Sequence, residues 1–200
     1  MGVSKQQAIE NKQAIVAAAA KLFRDRGVAA VGLAELTKAA GFTQGGFYNH
    51  FKSKDALVAT VMGDAMDGAA AQFVASVEAA HAEAADPLRR RIEWYLSSEH
   101  RADIEEGCPI SGFAGDIRRL STQAQQSYAQ GLARNFEQLA SVIDGENSHE
   151  KRKAAIALFS QMVGALLLSR AVVEADPALA DEILEDGRQA VGAGFVSSVA

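Results

Sequence analysis

Two hundred residues, 48% of them hydrophobic, are enough for one or two packed domains. The single cysteine, Cys108, excludes an intrachain disulfide framework and makes the cytoplasm the expected location. The net charge of −5 hides an asymmetry: residues 1–54 hold eight Lys or Arg against three Asp or Glu, a net of +5, and the remainder carries −10. A basic amino-terminal module on an acidic body fits nucleic-acid binding at one end. Three prolines and few β-branched runs favour helices. No uninterrupted apolar run reaches the roughly 18 residues of a membrane span. The longest candidate, residues 154–173, is broken by Ser160, Gln161 and Arg170. The start of the chain lacks the apolar block of a signal peptide.

In chain order, Met1 to Lys5 reads as a flexible arm, with Lys5 near phosphate in a nucleic-acid complex. Residues 6–26 place Ile15, Ala18, Ala19, Leu22 and Phe23 at helical spacing, and their alanine run favours a helix that Gly27 ends. Lys12, Lys21, Arg24 and Arg26 are expected mainly on its solvent side. Residues 33–54, LAELTKAAGFTQGGFYNHFKSK, then contain two short helical patterns around Ala40-Gly41-Phe42-Thr43. Leu33, Leu36 and Ala40 form one apolar face. Gly41 suits a left-handed helix end, and Thr43 suits an N-cap. Phe47 and Phe51 fall inward, leaving Gln44, Gly45, Tyr48 and Asn49 outward. This is the pattern of a helix-turn-helix, completed to three helices by the segment before it.

The outward residues suit a DNA major groove. In such a motif the start of the second helix meets base edges. Gln44 can pair bidentately with adenine, and Thr43 can contact a base or a thymine methyl. Gly45 and Gly46 remove side chains and permit close backbone approach. Tyr48, His50 and Lys54 are positioned for phosphates, Asn49 lies on the same face, and the helix start adds backbone N–H groups. The candidate DNA-binding set is therefore Thr43, Gln44, Gly45, Gly46, Tyr48, Asn49, His50 and Lys54.

This stretch resembles the DNA-binding domain of the TetR family of transcriptional regulators. The matching words are Ala40-Gly41-Phe42-Thr43, Gly45-Gly46-Phe47-Tyr48-Asn49-His50-Phe51 and Ser53-Lys54, and the likeness reaches back through AAAAKLFRDRG. It covers roughly Gln6 to Leu57. Two positions depart from the family pattern: Gly32, where a capping Ser or Thr is usual, and Gly46, where many members carry a side chain. The resemblance implies a repressor, released from a pseudo-palindromic operator by a small molecule. It also implies a homodimer formed by pairing the last two helices of each copy, and a long fourth helix that carries the ligand signal.

Beyond the motif, Ser53 and Asp55 open a helix that continues to about His81 through Leu57, Val58, Val61, Met62, Ala65, Met66, Ala69 and Phe73. Asp86-Pro87 starts the next, with Leu88, Ile92, Tyr95 and Leu96 inward. Arg89, Arg90 and Arg91 read as a solvated face with acidic partners, an anionic ligand or DNA being the lesser alternative. Glu106-Gly107-Cys108-Pro109 breaks the pattern. A short helix over 110–120 follows, then one over 122–143 and one that Ser148 caps and that runs to Glu174. The last opens on Asp176-Pro177 and runs to near the chain end, with Ile183, Ala190, Val191, Gly194 and Phe195 on it. The expected fold is thus all-α, with nine helices. Residues 1–54 form the DNA-binding domain and residues 55–200 a ligand-binding and dimerisation domain. Apolar residues on more than one face of the last two helices call for burial on two sides, as a homodimer provides.

A pocket between helices of the acidic body is expected to draw on Trp94, Tyr95, Cys108, Phe113, Tyr128, Phe136, Phe159 and Met162, although most such residues simply fill a core. Cys108, between Gly107 and Pro109, carries two rival readings. One is a thiol sensor of oxidants or electrophiles; the other is a helical enzyme with a Cys nucleophile. A small buried hydrophobe is the commoner role for a lone cysteine. A third rival is an adaptor whose apolar faces bind a protein. His50, His81, His100 and His149 form no metal-ligand spacing, and no nucleotide-loop or nucleophile-elbow motif occurs, so no metal, cofactor or catalytic site is expected.

Overall fold

The computed structural model describes residues 4–195. Met1–Val3 of the expected arm, residues 196–200 of the expected last helix, and the side chain of Phe195 lie outside the described residues. The described residues form ten α-helices and one 3-10 turn, with no strand. The helices are α1 (Lys5–Arg26), α2 (Leu33–Ala39), α3 (Gln44–Tyr48), α4 (Lys54–Ala82) and α5 (Pro87–Tyr95). They continue as α6 (Ser98–Ala102), α7 (Pro109–Phe113), α8 (Thr122–Ser141), α9 (Ser148–Val172) and α10 (Pro177–Phe195), with the 3-10 turn at Ile117–Arg119.

Nine expected helices become ten because the one opened by Asp86-Pro87 stops at Tyr95. Ser97 then caps a new helix, its hydroxyl accepting from the His100 N–H at 3.1 Å. Three further expectations are corrected. Lys5 is already helical, because Ser4 caps α1 by accepting from the Gln7 N–H. The helix expected over 110–120 is the five-residue α7 followed by the 3-10 turn. Asn147, not Ser148, caps α9, its side-chain oxygen accepting from the N–H groups of His149 and Glu150.

The chain divides into two compact units. The first comprises Met1–Gly68 and Ile104–Gly131. Its core holds Ile15, Ala19 and Phe23 of α1, Leu36 of α2, Phe47 and Phe51, and Leu57, Val61 and Met62 of α4, all buried. α1 packs on α2 and α7. The 104–131 segment is tied to α1 and its following loop by polar contacts. Arg24 donates to the Gly107 carbonyl at 2.9 Å, Lys21 pairs with Glu106 at 2.8 Å, and the Asp116 carboxylate accepts from the Val28 N–H at 2.8 Å.

The second unit comprises Ala69–Asp103 and Leu132–Ala200. α9 lies along α10 and also meets α5 and α6. By length and composition α9 could cross a membrane. Here it buries Leu158, Phe159, Met162 and Leu166 in the unit instead. Its last turns carry a polar knot. Ser169 donates to the Ala180 carbonyl at 2.7 Å and accepts from Arg101, which also pairs with Asp181 at 2.8 Å. Arg170 donates to the carbonyls of His100, Arg101 and Asp103, satisfying the otherwise orphaned end of α6.

Candidate nucleic-acid interface

The turn between α2 and α3 is built as its residue types dictate. Gly41 has φ +77°, a conformation a Cβ would strain. The Phe42 N–H bonds the Thr37 carbonyl at 2.7 Å, and the Gly41 N–H bonds that of Lys38 at 3.1 Å. These two bonds are the Schellman pattern that closes a helix. The chain then extends at Thr43, whose hydroxyl accepts from the Gly46 N–H at 3.1 Å and starts α3. Gly32 caps α2 without a side-chain bond, as its lack of a hydroxyl requires.

Phe47 is fully buried and stacks on Phe51, ring centroids 5.6 Å apart. This pair sets the rotation of α3. Thr43, Gln44, Gly45, Tyr48 and Asn49 are therefore exposed, and Gly46 and His50 half-buried, with Phe42 edge-on to His50. Neither glycine of α3 is demanded by the fold. A Cβ on Gly45 would come no nearer than 3.9 Å to Thr43, and one on Gly46 would make ordinary contacts with Thr43 and Phe42.

Lys54 lies elsewhere in its chemistry. Its ammonium donates to the carbonyls of Val28 and Val31, at 2.5 and 2.6 Å, and so braces the loop between α1 and α2. Lys21, Arg24 and Arg26 also have partners within the protein: Glu106, the Gly107 carbonyl and Glu35 respectively. Lys5, Lys12, Lys38 and Lys52 are further exposed cations of the basic segment, with the Lys12 ammonium over the Phe51 ring. Of these, Lys38 and Lys52 were passed over in the sequence. The adjacency of Lys52 to the Phe51 anchor was the available signal.

The residues expected to line a ligand pocket fall in both units. Cys108, Phe113 and Tyr128 belong to the first, where Phe113 is buried and Cys108 is 7% exposed. The Tyr128 hydroxyl donates to the Ile110 carbonyl at 2.8 Å, and burial pushes its pKa up to about 12, so it stays protonated. Trp94, Tyr95, Phe136, Phe159 and Met162 belong to the second unit. Tyr95, Phe159 and Met162 are core, and Trp94 is 44% exposed and lines a cleft. No group of three His, Cys, Asp or Glu among the described residues is arranged to hold a metal.

An all-helical chain that presents a helix-turn-helix on a rigid aromatic anchor defines a class, the helix-turn-helix transcriptional regulators. Residues 15–61 match the profile of the bacterial regulatory proteins of the tetR family. By that match, the amino-terminal segment of the chain is similar to the DNA-binding domain of the tetR-family regulators. It is 43% identical over 58 residues to the HTH-type transcriptional regulator AcrR of Shigella flexneri, a match covering 29% of this chain and only 27% of that protein. It is 26% identical over 147 residues to the HTH-type transcriptional repressor DhaR of Mycobacterium sp. (strain GP1), covering 71% of this chain and 70% of that one. The fold is similar to that of reduced Escherichia coli NemR, with a TM-score of 0.75, 18% identity, and coverage of 93% of this chain and 98% of that one.

Proposed function

We propose that the chain is a transcriptional repressor that binds a pseudo-palindromic DNA operator as a homodimer and is released by a small molecule. The observation that carries this reading is α3: a capped helix, fixed by Phe47 and Phe51, presenting Gln44, Gly45, Tyr48 and Asn49 to solvent. The two helix glycines support it further. Each lowers helix stability, by at most about 0.5–1 kcal/mol, yet no packing neighbour demands either. Close backbone approach to a duplex supplies a reason the fold does not. Lys38 and Lys52 join Tyr48 and His50 as candidate phosphate contacts, whereas Lys54 serves by bracing the loop.

Dimerisation through α9 and α10 is supported by the apolar side chains those helices leave outside: Ile156, Leu167, Leu168 and Leu179, with Leu168 61% exposed. Two heads related by a two-fold axis would read half-sites about 34–36 Å apart or a multiple of that. The functional division is residues 1–54 for DNA and 55–200 for effector and partner, and a protein of this activity works in the cytoplasm. Selection of bound sequences from random duplexes, followed by titration at two salt concentrations, tests the reading. It predicts an inverted repeat whose binding weakens steeply with salt, as phosphate contacts require. Failure to enrich any sequence would overturn it.

The thiol-sensor reading is weaker, and a Cys108 nucleophile weaker still, because both need access and Cys108 is 7% exposed. Its backbone does open α7, on the segment that holds the α1–α2 loop through Asp116. An oxidant response of operator binding that survives in Cys108→Ser removes the sensor reading.

A further inference from the structure

Within the second unit, α4 and α5 enclose a cleft of about 270 Å³ lined by Gln72, Ser76, Pro87, Arg90, Arg91 and Trp94. We propose that this cleft binds a small aromatic carboxylate, one ring bearing one negative charge. The inference rests on the reading that the helical body receives a small effector, and it names the chemistry.

Two guanidinium groups line the cleft and no carboxylate does, although residues 55–200 are acidic overall. Arg91 is held in place by rings: its guanidinium carbon lies 4.8 Å from the Trp94 centroid, 5.4 Å from Tyr95 and 5.7 Å from Phe73. A guanidinium so positioned loses little freedom when it meets a carboxylate, and its planar fork matches that shape. Trp94 is fixed from its other neighbour, stacking on His100 at 4.3 Å. Burial keeps that imidazole neutral, and its Nδ1 sits 2.8 Å from the Tyr95 carbonyl. The indole is thus both immobile and 44% exposed, a ready platform for a flat ligand.

Two surface ion pairs involve the neighbouring arginines. Arg90 meets Glu83 at 2.6 Å and Arg89 meets Glu93 at 3.5 Å. Such exposed pairs are worth about 1 kcal/mol or less, so a ligand carboxylate can share Arg90. On the α4 wall the Ser76 hydroxyl donates to the Phe73 carbonyl at 2.7 Å, which presents its oxygen as an acceptor, and Gln72 offers both roles. Size sets the ligand: drug-sized sites begin near about 300 Å³, so this cleft takes a single ring.

Trp94 is the chain's one tryptophan, so its fluorescence reports on the site alone. The test titrates the full-length chain with benzoate and phenylacetate, and with benzamide, acetate and inorganic phosphate as comparators. The proposal expects saturable emission changes with both aromatic carboxylates and at least tenfold weaker responses to the other three. It also expects Arg91→Lys to weaken benzoate binding at least tenfold, and Arg90→Gln to weaken it severalfold with an unchanged unfolding midpoint. No saturation with benzoate up to about 10 mM, beyond the range of a weak fragment, overturns it. So do an equal response to benzamide and an equal response to phosphate. The titration needs no DNA, so its failure leaves the operator reading standing, and failure of operator binding leaves this site standing.

Discussion

The Lys54 ammonium donates to the carbonyl oxygen of Val31 across 2.6 Å, while also holding that of Val28. A lysine that sequence alone assigns to DNA is thereby engaged in closing the loop before α2. Lys54→Met is expected to lower the unfolding free energy by about 1.5–3 kcal/mol, the range for hydrogen bonds to a charged group. Urea unfolding followed by circular dichroism checks this. A variant with wild-type stability but weakened DNA binding would return Lys54 to the phosphate set.

Gly45→Ala separates folding from binding. With nothing nearer than 3.9 Å to the new Cβ, the head should gain up to about 1 kcal/mol of stability. Operator affinity should fall at least tenfold, because the methyl group stands where the backbone approaches the duplex. Thermal melts and anisotropy titrations on the same preparation measure both, and a variant that is more stable and binds equally well contradicts the close-approach argument.

Two other helix glycines should respond in opposite senses. A Cβ on Gly131 of α8 would lie 2.6–2.7 Å from Cγ and Cβ of Met66, so the helices must shift. Gly131→Ala is expected to destabilise by about 1–3 kcal/mol. Gly63→Ala in α4 meets nothing within 4 Å and should stabilise by about 0.5–1 kcal/mol. Chemical denaturation of the two single variants decides the matter.

His100 makes stability depend on acid. Burial lowers its pKa from 6.5 to about 4, so the folded state holds the neutral ring and the unfolded chain takes up the proton first. Its contribution is complete above pH 6.5 and is lost as pH falls from there towards 4, at up to about 1.4 kcal/mol per pH unit. The difference in unfolding free energy between wild type and His100→Gln should therefore shrink over that window. A constant difference would show that the ring does not titrate between the two states.

The turn motif was legible because its devices are local. Gly41, Thr43 and the Phe47–Phe51 spacing each act within a few residues, and the structure realises all of them. The starts at Asp86-Pro87 and Asp176-Pro177 were legible for the same reason. The loop-bracing bonds of Lys54 were not legible because its partners lie 23 and 26 residues away, where no periodicity points. The break at Leu96–Ser97 was hidden because the apolar spacing of Leu88, Ile92, Tyr95 and Leu96 runs straight up to the Ser97 cap. The ring stack on Arg91 joins residues of α4 and α5, and a run of three arginines read alone looks like solvent-facing charge.

The central claim is that α3 reads bases. The most direct measurement compares wild type and Gln44→Ala by fluorescence anisotropy, on the selected operator and on duplexes changed at single positions of each half-site. The account predicts that Gln44→Ala relaxes discrimination at one position per half-site, by about 1–3 kcal/mol, while its binding to non-specific duplex and its salt dependence stay as in wild type. Equal discrimination by both proteins at every position would contradict it.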